Sequence, residues 1–259
     1  MKFLILAATI LAVVVLERTA RFRFRDARFF RDYFTSDLVY LASALGIAAW
    51  LTAAYHEPLT AWADANLPIP RIASINLPLW MSVPLAAMLV DLGHFVAHFL
   101  MHRSDALWQL HKVHHSSHTV DWLATFRSHV GEQILRNVLG PLFLIVLGFP
   151  ITVAALGVGV HAAFAVFNHS NTRLNLRMLE AVFITPRLHR MHHVPGVMFQ
   201  KNFGTVITLW DRIAGTYDRR ELDSEEYGVP DEVHTYPQTW GPQFLEPFRR
   251  FARFVRVTE

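Results

Sequence analysis

Histidines at helical spacing dominate the middle of this sequence. The pattern His-x-x-His-His occurs twice, at His111–His115 and at His189–His193. Residues i, i+3 and i+4 share one face of a helix, so each triplet can direct its imidazoles toward two neighbouring points in space. Imidazole nitrogen binds iron, zinc, copper and nickel. The two triplets therefore predict metal binding.

More histidines lie on or beside the apolar runs of the chain. His94, His98 and His102 repeat at every fourth residue, which places them in one stripe along a helix. His161 lies inside the last apolar run, and His169 lies at its end. Ionisable residues within a membrane span are costly and usually functional. Because one zinc ion needs only three or four protein ligands, this number of histidines predicts two metal ions.

The composition indicates a membrane protein and restricts any metal site to nitrogen and oxygen ligands. Only 17% of the 259 residues are charged and 53% are hydrophobic, whereas about 25% are charged in soluble domains. The absence of cysteine excludes disulfides, cysteine-held iron–sulfur clusters, thiolate-ligated haem and a thiol nucleophile. The net charge of +3 gives little reason to expect a nucleic acid as partner.

The apolar runs predict membrane segments that bring both histidine groups to one side. Six arginines between residues 18 and 31 mark the cytoplasmic side by the positive-inside rule. Three crossings followed by a returning hairpin then place both triplets in the cytoplasm. The predicted segments are an uncleaved anchor at 3–16, spans at 37–55 and 77–101, a proline-rich external loop at 56–76, and a transmembrane or re-entrant hairpin at 134–149 and 151–167.

The expected fold is an all-α membrane protein with about four to five transmembrane or re-entrant helices. A cytosolic helical cap would hold a histidine-rich site for two metals. We divide the chain into an anchor with a basic cytoplasmic segment, a membrane-embedded domain and a cytoplasmic extension, at residues 1–36, 37–217 and 218–259. Residues 243–257 predict an amphipathic helix, which either lies on an anionic membrane face or packs on the protein's own core. Its apolar face contains Phe244, Phe248, Phe251 and Val255. Its basic face contains Arg249, Arg250, Arg253 and Arg256.

Further motifs accompany the histidines over roughly residues 85–220. They run Asp91-x6-His98-x3-His102-x4-Leu107-Trp108-x2-His111-Lys-Val-His114-His115-Ser116, Arg127-Ser-His129-x2-Glu132, Asn168-His169-Ser-Asn171, Thr185-Pro-Arg-x-His189-Arg-Met-His192-His193, Asn202-Phe-Gly204 and Leu209-Trp-Asp-Arg-Ile-Ala-Gly-Thr-Tyr217. In this joint spacing the chain resembles the fatty acid hydroxylase and sterol desaturase superfamily of integral-membrane non-haem oxygenases. Phe99 is a departure, because the superfamily usually has arginine after the first histidine.

The resemblance implies a helical membrane bundle with a cytosolic cap over a metal pair. It implies hydroxylation or desaturation of a lipid C–H bond, with O2 as co-substrate and electrons from outside the chain. Two non-haem iron ions are the implied cofactors, and zinc can replace them in purified protein. The implied metal ligands are His98, His102, His111, His114, His115, His169, His189, His192 and His193, with His161 as a less secure tenth.

Other polar residues are expected to orient the ligand imidazoles by hydrogen bonds to their second ring nitrogens. These residues are Asp91, His94, His118, His129, Asn171 and Asp211. The sequence contains no cytochrome b5-like domain, so we expect a separate electron donor: a ferredoxin, a cytochrome b5-like protein or a reductase. The bacterial inner membrane is the expected location, with the active site facing the cytoplasm.

Two other functions are compatible with a histidine-rich membrane protein. A metal transporter would place its ligands near the bilayer midplane, whereas most histidines here fall outside the spans. A haem electron-transfer protein with two axial histidines would need neither His-x-x-His-His triplet. Both therefore account for fewer of the histidines than an oxygenase does.

Overall fold

A computed structural model of the chain describes residues 2–26, 28–67, 72–221 and 226–257. Within these residues the regular elements are helices, and the extended segments pair only in two isolated bridges. The α-helices are α1 (Lys2–Arg18), α2 (Phe34–Leu51), α3 (Glu57–Asn66), α4 (Leu79–Arg103), α5 (Asp105–His115), α6 (Val130–Leu139), α7 (Leu142–Leu147), α8 (Ile151–Asn168), α9 (Pro186–His192), α10 (Leu209–Ala214) and α11 (Trp240–Val257). The predicted all-α fold is confirmed.

Four helical stretches of the described chain are long and apolar enough to cross a membrane. They are Phe34–Asn66, Leu79–Arg103, Val130–Leu147 and Ile151–Asn168. The chain is therefore an integral membrane protein. Helix α1 is also apolar, but with 17 residues it is shorter, and it packs along α8.

The prediction of an external loop at residues 56–76 is wrong for residues 56–66, which are helical. One helical stretch continues from Phe34 to Asn66, through a π-helical turn at Thr52–His56 and then α3. Pro58 lies in the first turn of α3, directly after this π-helical turn, and does not end the helical stretch. Residues 68–71 of the predicted loop lie outside the described residues.

The other predicted apolar segments occur as helices close to their expected bounds. The span predicted at 77–101 is α4, which contains Pro84 and extends to Arg103. The hairpin is interrupted where the sequence predicts it, because α7 ends at Gly148 in the left-handed conformation (φ 68°) and Pro150 precedes α8. Glycine adopts this conformation without the steric cost that a side chain would add.

Helix α4 is the centre of the bundle and carries the first histidine stripe. It packs against α5, α6, α7 and α8, while α1 packs on α8 and α2 packs on α6. Small residues allow α4 and α8 to approach closely: a Cβ added to Gly157 would lie only 2.6 Å from the Cβ of Ala86. Such contacts between small residues are the usual means of packing helices within a membrane.

We expect Gly93→Ala to destabilise the bundle by about 1–3 kcal/mol, the usual cost of overpacking. A methyl group at this position of α4 would clash with the backbone carbonyl of Leu139 and would lie 2.8 Å from the Cα of Gly140. Neither backbone atom can rotate away. Thermal unfolding in detergent micelles measures the effect.

Gly46→Ala is the matched control, because a Cβ there meets no atom within 4 Å. This glycine lies inside α2, so its replacement should be neutral or stabilise the helix by up to about 1 kcal/mol. Equal unfolding temperatures for the two variants would contradict the close approach of α4 and α6.

The C-terminal helix α11 packs on the protein through one face. Its fully buried Gln243 accepts a hydrogen bond from the Tyr40 hydroxyl (2.7 Å) and donates to the Ser116 hydroxyl (2.8 Å). Leu245 and Phe248 are exposed on the other face. Of the two predicted roles, packing on the core is thus observed for the first turns. The side chains of residues 253–257 lie outside the described part of the chain.

Candidate metal centre

The short helices α5 and α9 and the C-terminal ends of α4 and α8 position the histidines. Ser104 caps α5, since its hydroxyl accepts a hydrogen bond from the backbone N–H of Leu107 (3.4 Å). Thr185 caps α9 in the same way, through the N–H of Leu188 (3.3 Å), and Pro186 occupies the first turn. Helix α5 therefore begins directly after α4 ends, which brings the first triplet back over the histidine stripe.

The structure assembles nine histidines into two buried groups. The first contains His98, His102, His111, His115 and His192, and the second contains His114, His169, His189 and His193. Within each group the candidate ligand atoms all lie within 4.8 Å of one another. The adjacent residues His114 and His115 enter different groups because they lie about 100° apart around α5. Each triplet thus contributes to both groups.

The ring nitrogens of both groups have the arrangement that a metal ion requires. In the second group, Nε2 of His169 lies 3.1 Å from that of His114 and 2.9 Å from that of His189. Two nitrogens at right angles around an ion, each about 2.0–2.1 Å from it, are about 2.9 Å apart. In the first group all five Nε2 atoms are buried and have no hydrogen-bond partner among the described residues. The donor set fits two metal ions.

Burial keeps these imidazoles in the form that binds metal. It lowers the pKa of His169 and His192 to about 3. Burial and the neighbouring histidines also lower the pKa of His114, His115 and His189 well below the usual value. A neutral imidazole can donate its lone pair to a metal without first losing a proton. At neutral pH the site is therefore ready to bind.

Backbone carbonyls orient four of the rings. In each case Nδ1 lies within hydrogen-bond distance of a carbonyl oxygen, which leaves Nε2 free to face the other ligands. The pairs are His98 with Phe203, His114 with Arg127, His169 with Ala165 and His192 with Lys201, at 2.8, 3.1, 2.8 and 2.7 Å. The sequence could not show these partners, because any residue supplies a carbonyl.

Glu132 is a contact of the centre that the sequence analysis included in a motif without assigning it a role. It is fully buried, and its Oε1 lies 3.0 Å from Nδ1 of His111 and 3.3 Å from Nη1 of Arg136. This contact places an acidic side chain beside a candidate ligand imidazole without an aligned hydrogen bond between them. The available signal was a glutamate in the first turn of α6, at the start of a stretch apolar enough to cross a membrane.

Asp91 and Asp211 support the centre through a loop and do not contact the ligand rings, contrary to prediction. Asp91 accepts hydrogen bonds from the backbone N–H groups of residues 205–207 and from the Trp210 indole. Asp211 accepts from the N–H groups of residues 203 and 204. These short carboxylates bind backbone donors that are nearer than any ligand ring. Together they fix the loop whose Phe203 carbonyl meets His98.

His94 and His161 form a pair beside the centre. Their ring centroids are 4.2 Å apart, and Nδ1 of His94 accepts from Nε of Arg136 at 3.3 Å. His161 lies 3.6 Å from the Asp91 carboxylate. The structure does not bring His161 into either group, because it lies two turns before His169 on α8 and faces α4.

Three other predicted contacts have structural partners away from the ligand rings. His118 is exposed and lies 2.6 Å from the carbonyl of Val233. His129 caps α6 by accepting from the N–H of Gly131 at 3.0 Å. Asn171 accepts at Oδ1 from the backbone N–H of residue 25 at 3.1 Å. Capping and loop contacts therefore account for these three side chains.

Comparison with known proteins identifies the family. The fatty acid hydroxylase family model matches residues 83–216, just over half of the chain, and the chain belongs to this family. It is 30% identical over 179 residues to an ornithine lipid hydroxylase of Rhizobium tropici, which covers 68% of this chain and 53% of that protein. It is also 30% identical over 175 residues to the alkylglycerol monooxygenase of Danio rerio, covering 67% of this chain and 38% of that protein.

The human alkylglycerol monooxygenase is 28% identical over 149 residues, covering 57% of this chain and 33% of that protein. The chain thus spans between about a third and a half of the length of these curated relatives. No solved structure matches it.

Proposed function

We propose that this protein is a membrane-bound non-haem di-iron oxygenase that hydroxylates a C–H bond of a lipid. The observation that carries the proposal is the pair of buried histidine groups next to helices that can span a membrane. Nine buried imidazoles without a carboxylate in either group form a nitrogen-rich site that suits a redox metal. Membership of the fatty acid hydroxylase family supports the same conclusion.

The proposed reaction uses O2 and a one-electron carrier as the reductant. One oxygen atom is inserted into the C–H bond to give an alcohol. The other oxygen atom leaves as water, with two electrons delivered one at a time by the carrier and two protons from solvent. Bound iron would supply the redox chemistry, which zinc cannot supply. The printed names of the relatives, hydroxylase and monooxygenase, favour hydroxylation over desaturation.

The protein's own residues hold the ligands in place and exclude water. The backbone carbonyls fix the four ring orientations described above. Aromatic side chains surround the first group: the ring centroids of Trp108, Phe199 and Phe203 lie 5.1, 4.8 and 5.0 Å from that of His102. A dry, shaped site of this kind protects a strong oxidant from side reactions.

The basic segment between residues 18 and 31 supports the approach of a separate electron donor. The backbone N–H of Arg25 donates to Asn171, which lies two residues after His169. Arg190, inside the second triplet, lies over the ring of Phe24 at 4.3 Å. The donor would be a ferredoxin, a cytochrome b5-like protein or a reductase with an acidic face. The arginines also support a cytoplasmic location of the site. The bacterial inner membrane is the membrane we propose.

Isotope incorporation tests the proposal. Purified protein in nanodiscs made from bacterial lipids, with a ferredoxin and its reductase, should transfer one atom of labelled O2 into a lipid. Mass spectrometry of the lipid extract measures the transfer, and elemental analysis measures the iron. A preparation that contains two iron ions per chain and still incorporates no oxygen into any lipid would contradict the proposed function.

A further inference from the structure

The residues at and just after the end of α1 pack against the loop that follows α8. We call residues 17–25 the N-terminal segment, and they lie outside residues 83–216, which the family model matches. The backbone N–H of Phe24 donates to the carbonyl of Asn171 at 2.9 Å. The side chain of Asn171 accepts from the backbone N–H of Arg25 at 3.1 Å and donates to its carbonyl at 2.8 Å. The N-terminal segment is therefore bonded to this loop through both backbone and side chain.

Glu17 joins the same loop to a second one. This residue lies near the end of α1 and is only 1% exposed. Its Oε1 accepts from the backbone N–H of Asn171 at 2.9 Å and from the backbone N–H of Trp122 at 3.0 Å. The two donors belong to loops that α6, α7 and α8 separate along the chain. One carboxylate oxygen therefore fixes the distance between two loops.

Both loops support the second histidine group. His169 lies two residues before Asn171, directly at the end of α8. Arg127 lies five residues after Trp122, and its carbonyl is 3.1 Å from Nδ1 of His114. His169 and His114 are both members of the second group. The position of Glu17 thus bears on two of the four candidate ligands in that group.

The second triplet holds the loop after α8 from another direction. Nη1 of Arg190 donates to the carbonyls of Ser170 and Thr172, on either side of Asn171, at 3.0 and 2.9 Å. The guanidinium of Arg190 also lies over the ring of Phe24 at 4.3 Å. The N-terminal segment, the loop after α8 and the helix of the second triplet therefore contact one another.

The first histidine group is oriented by a different loop. The carbonyls of Phe203 and Lys201 meet Nδ1 of His98 and of His192, both of which belong to the first group. Asp211 accepts from two backbone N–H groups of that loop. A buried carboxylate thus fixes a loop beside each group, and the two carboxylates come from distant parts of the chain.

We propose that Glu17 is a positioning residue for the second metal ion. By holding the loop after α8 and the loop of Arg127 at a fixed separation, it fixes the directions of His169 and His114. Groups that orient ligand rings in this way contribute to metal affinity without touching the metal. The inference rests on the part of the proposed function that places one metal ion in each histidine group.

Competition with a chelator tests the inference without turnover. The purified full chain in nanodiscs is loaded with Fe²⁺ under anaerobic conditions and equilibrated with increasing concentrations of an Fe²⁺ chelator. Elemental analysis of the bound iron gives the affinity for each ion. Glu17→Ala should weaken one ion about tenfold and change the other by less than about twofold. Equal weakening of both ions, or wild-type affinity for both, would overturn the inference.

Two further variants separate positioning from a general loss of structure. Glu17→Gln keeps an acceptor oxygen in a side chain of the same shape, so both affinities should stay within about threefold of the wild type. Asn171→Ala keeps the backbone N–H that Glu17 accepts but loses both side-chain bonds to Arg25, and it should weaken the same ion. The inference fails if Glu17→Gln binds as weakly as Glu17→Ala, or if Asn171→Ala binds both ions like the wild type.

Asp211→Ala is the matched variant for the first group. It also removes a buried carboxylate that accepts from two backbone N–H groups, and it should weaken the other ion. His189→Ala, which should retain only the ion of the first group, assigns the two ions. In that background Asp211→Ala should still weaken the remaining ion, whereas Glu17→Ala should not. A further loss of affinity on adding Glu17→Ala would contradict the inference.

The outcomes for the two proposals are separable. If Glu17→Ala selectively weakens the second ion, but no lipid gains oxygen in the isotope experiment, the positioning role stands and the proposed oxygenase function fails. If a lipid gains oxygen while Glu17→Ala binds both ions like the wild type, the proposed function stands and the inference fails.

Discussion

His189→Ala should reduce bound iron from two ions per chain to one and abolish turnover. The second group has only four histidines, so this variant leaves three ligands for its ion. Mutation of a residue that merely contacts a metal ligand typically costs about 10–100-fold in affinity, and the loss of a ligand should cost at least about 100-fold. His115→Ala leaves four ligands in the first group and should cost less affinity. Elemental analysis and titration with a competing chelator measure both effects.

His118→Ala is the matched control for both variants, because this histidine is exposed and lies outside the two groups. Its iron content and oxygen incorporation should equal those of the wild type. Two ions per chain and full turnover in His189→Ala would show that the second group does not bind a catalytic metal. Loss of iron in the control would show that the measured effects come from general unfolding.

The geometry of the triplets could be predicted from the sequence because helical spacing alone determines it. Positions i, i+3 and i+4 fix the relative directions of three side chains before any tertiary contact forms. The hydropathy of the spans was equally informative, since length and composition decide whether a helix can cross a bilayer. The one incorrect segment, α3, was assigned to a loop because residues 56–76 are rich in proline, although Pro58 is accommodated within a continuous helical stretch, just after a π-helical turn.

The partners of the ligand rings could not be predicted, because they depend on contacts between distant segments. The carbonyl that meets His98 belongs to Phe203, more than a hundred residues away. The resemblance ranked His161 below the other candidate ligands, but spacing alone could not exclude it. The packing of α8 against α4 shows that His161 faces Asp91 and not the two histidine groups.

Asp91 connects the membrane bundle to the loop that completes the metal centre. It lies on α4, two turns before His98, and is fully buried. Its carboxylate accepts from three consecutive backbone N–H groups and from the Trp210 indole, at 2.9–3.1 Å. The same loop supplies the Phe203 carbonyl to His98. Asp91 therefore contributes, together with Asp211, to the stability of the loop and to the orientation of a ligand ring.

Asp91→Ala should destabilise the protein by at least about 4 kcal/mol and lower its iron content. The variant would leave four donors buried without their acceptor, and each unpaired group costs about 1–3 kcal/mol. Asp91→Asn keeps one acceptor oxygen and the shape of the side chain, so it should fold and show a smaller loss of both stability and iron. Asp105→Ala, at an exposed aspartate in the first turn of α5, should change stability by less than about 1 kcal/mol. Tryptophan fluorescence during thermal unfolding measures the stability of the three variants, and elemental analysis measures their iron content. Wild-type stability and iron content in Asp91→Ala would show that the loop holds its position without this carboxylate.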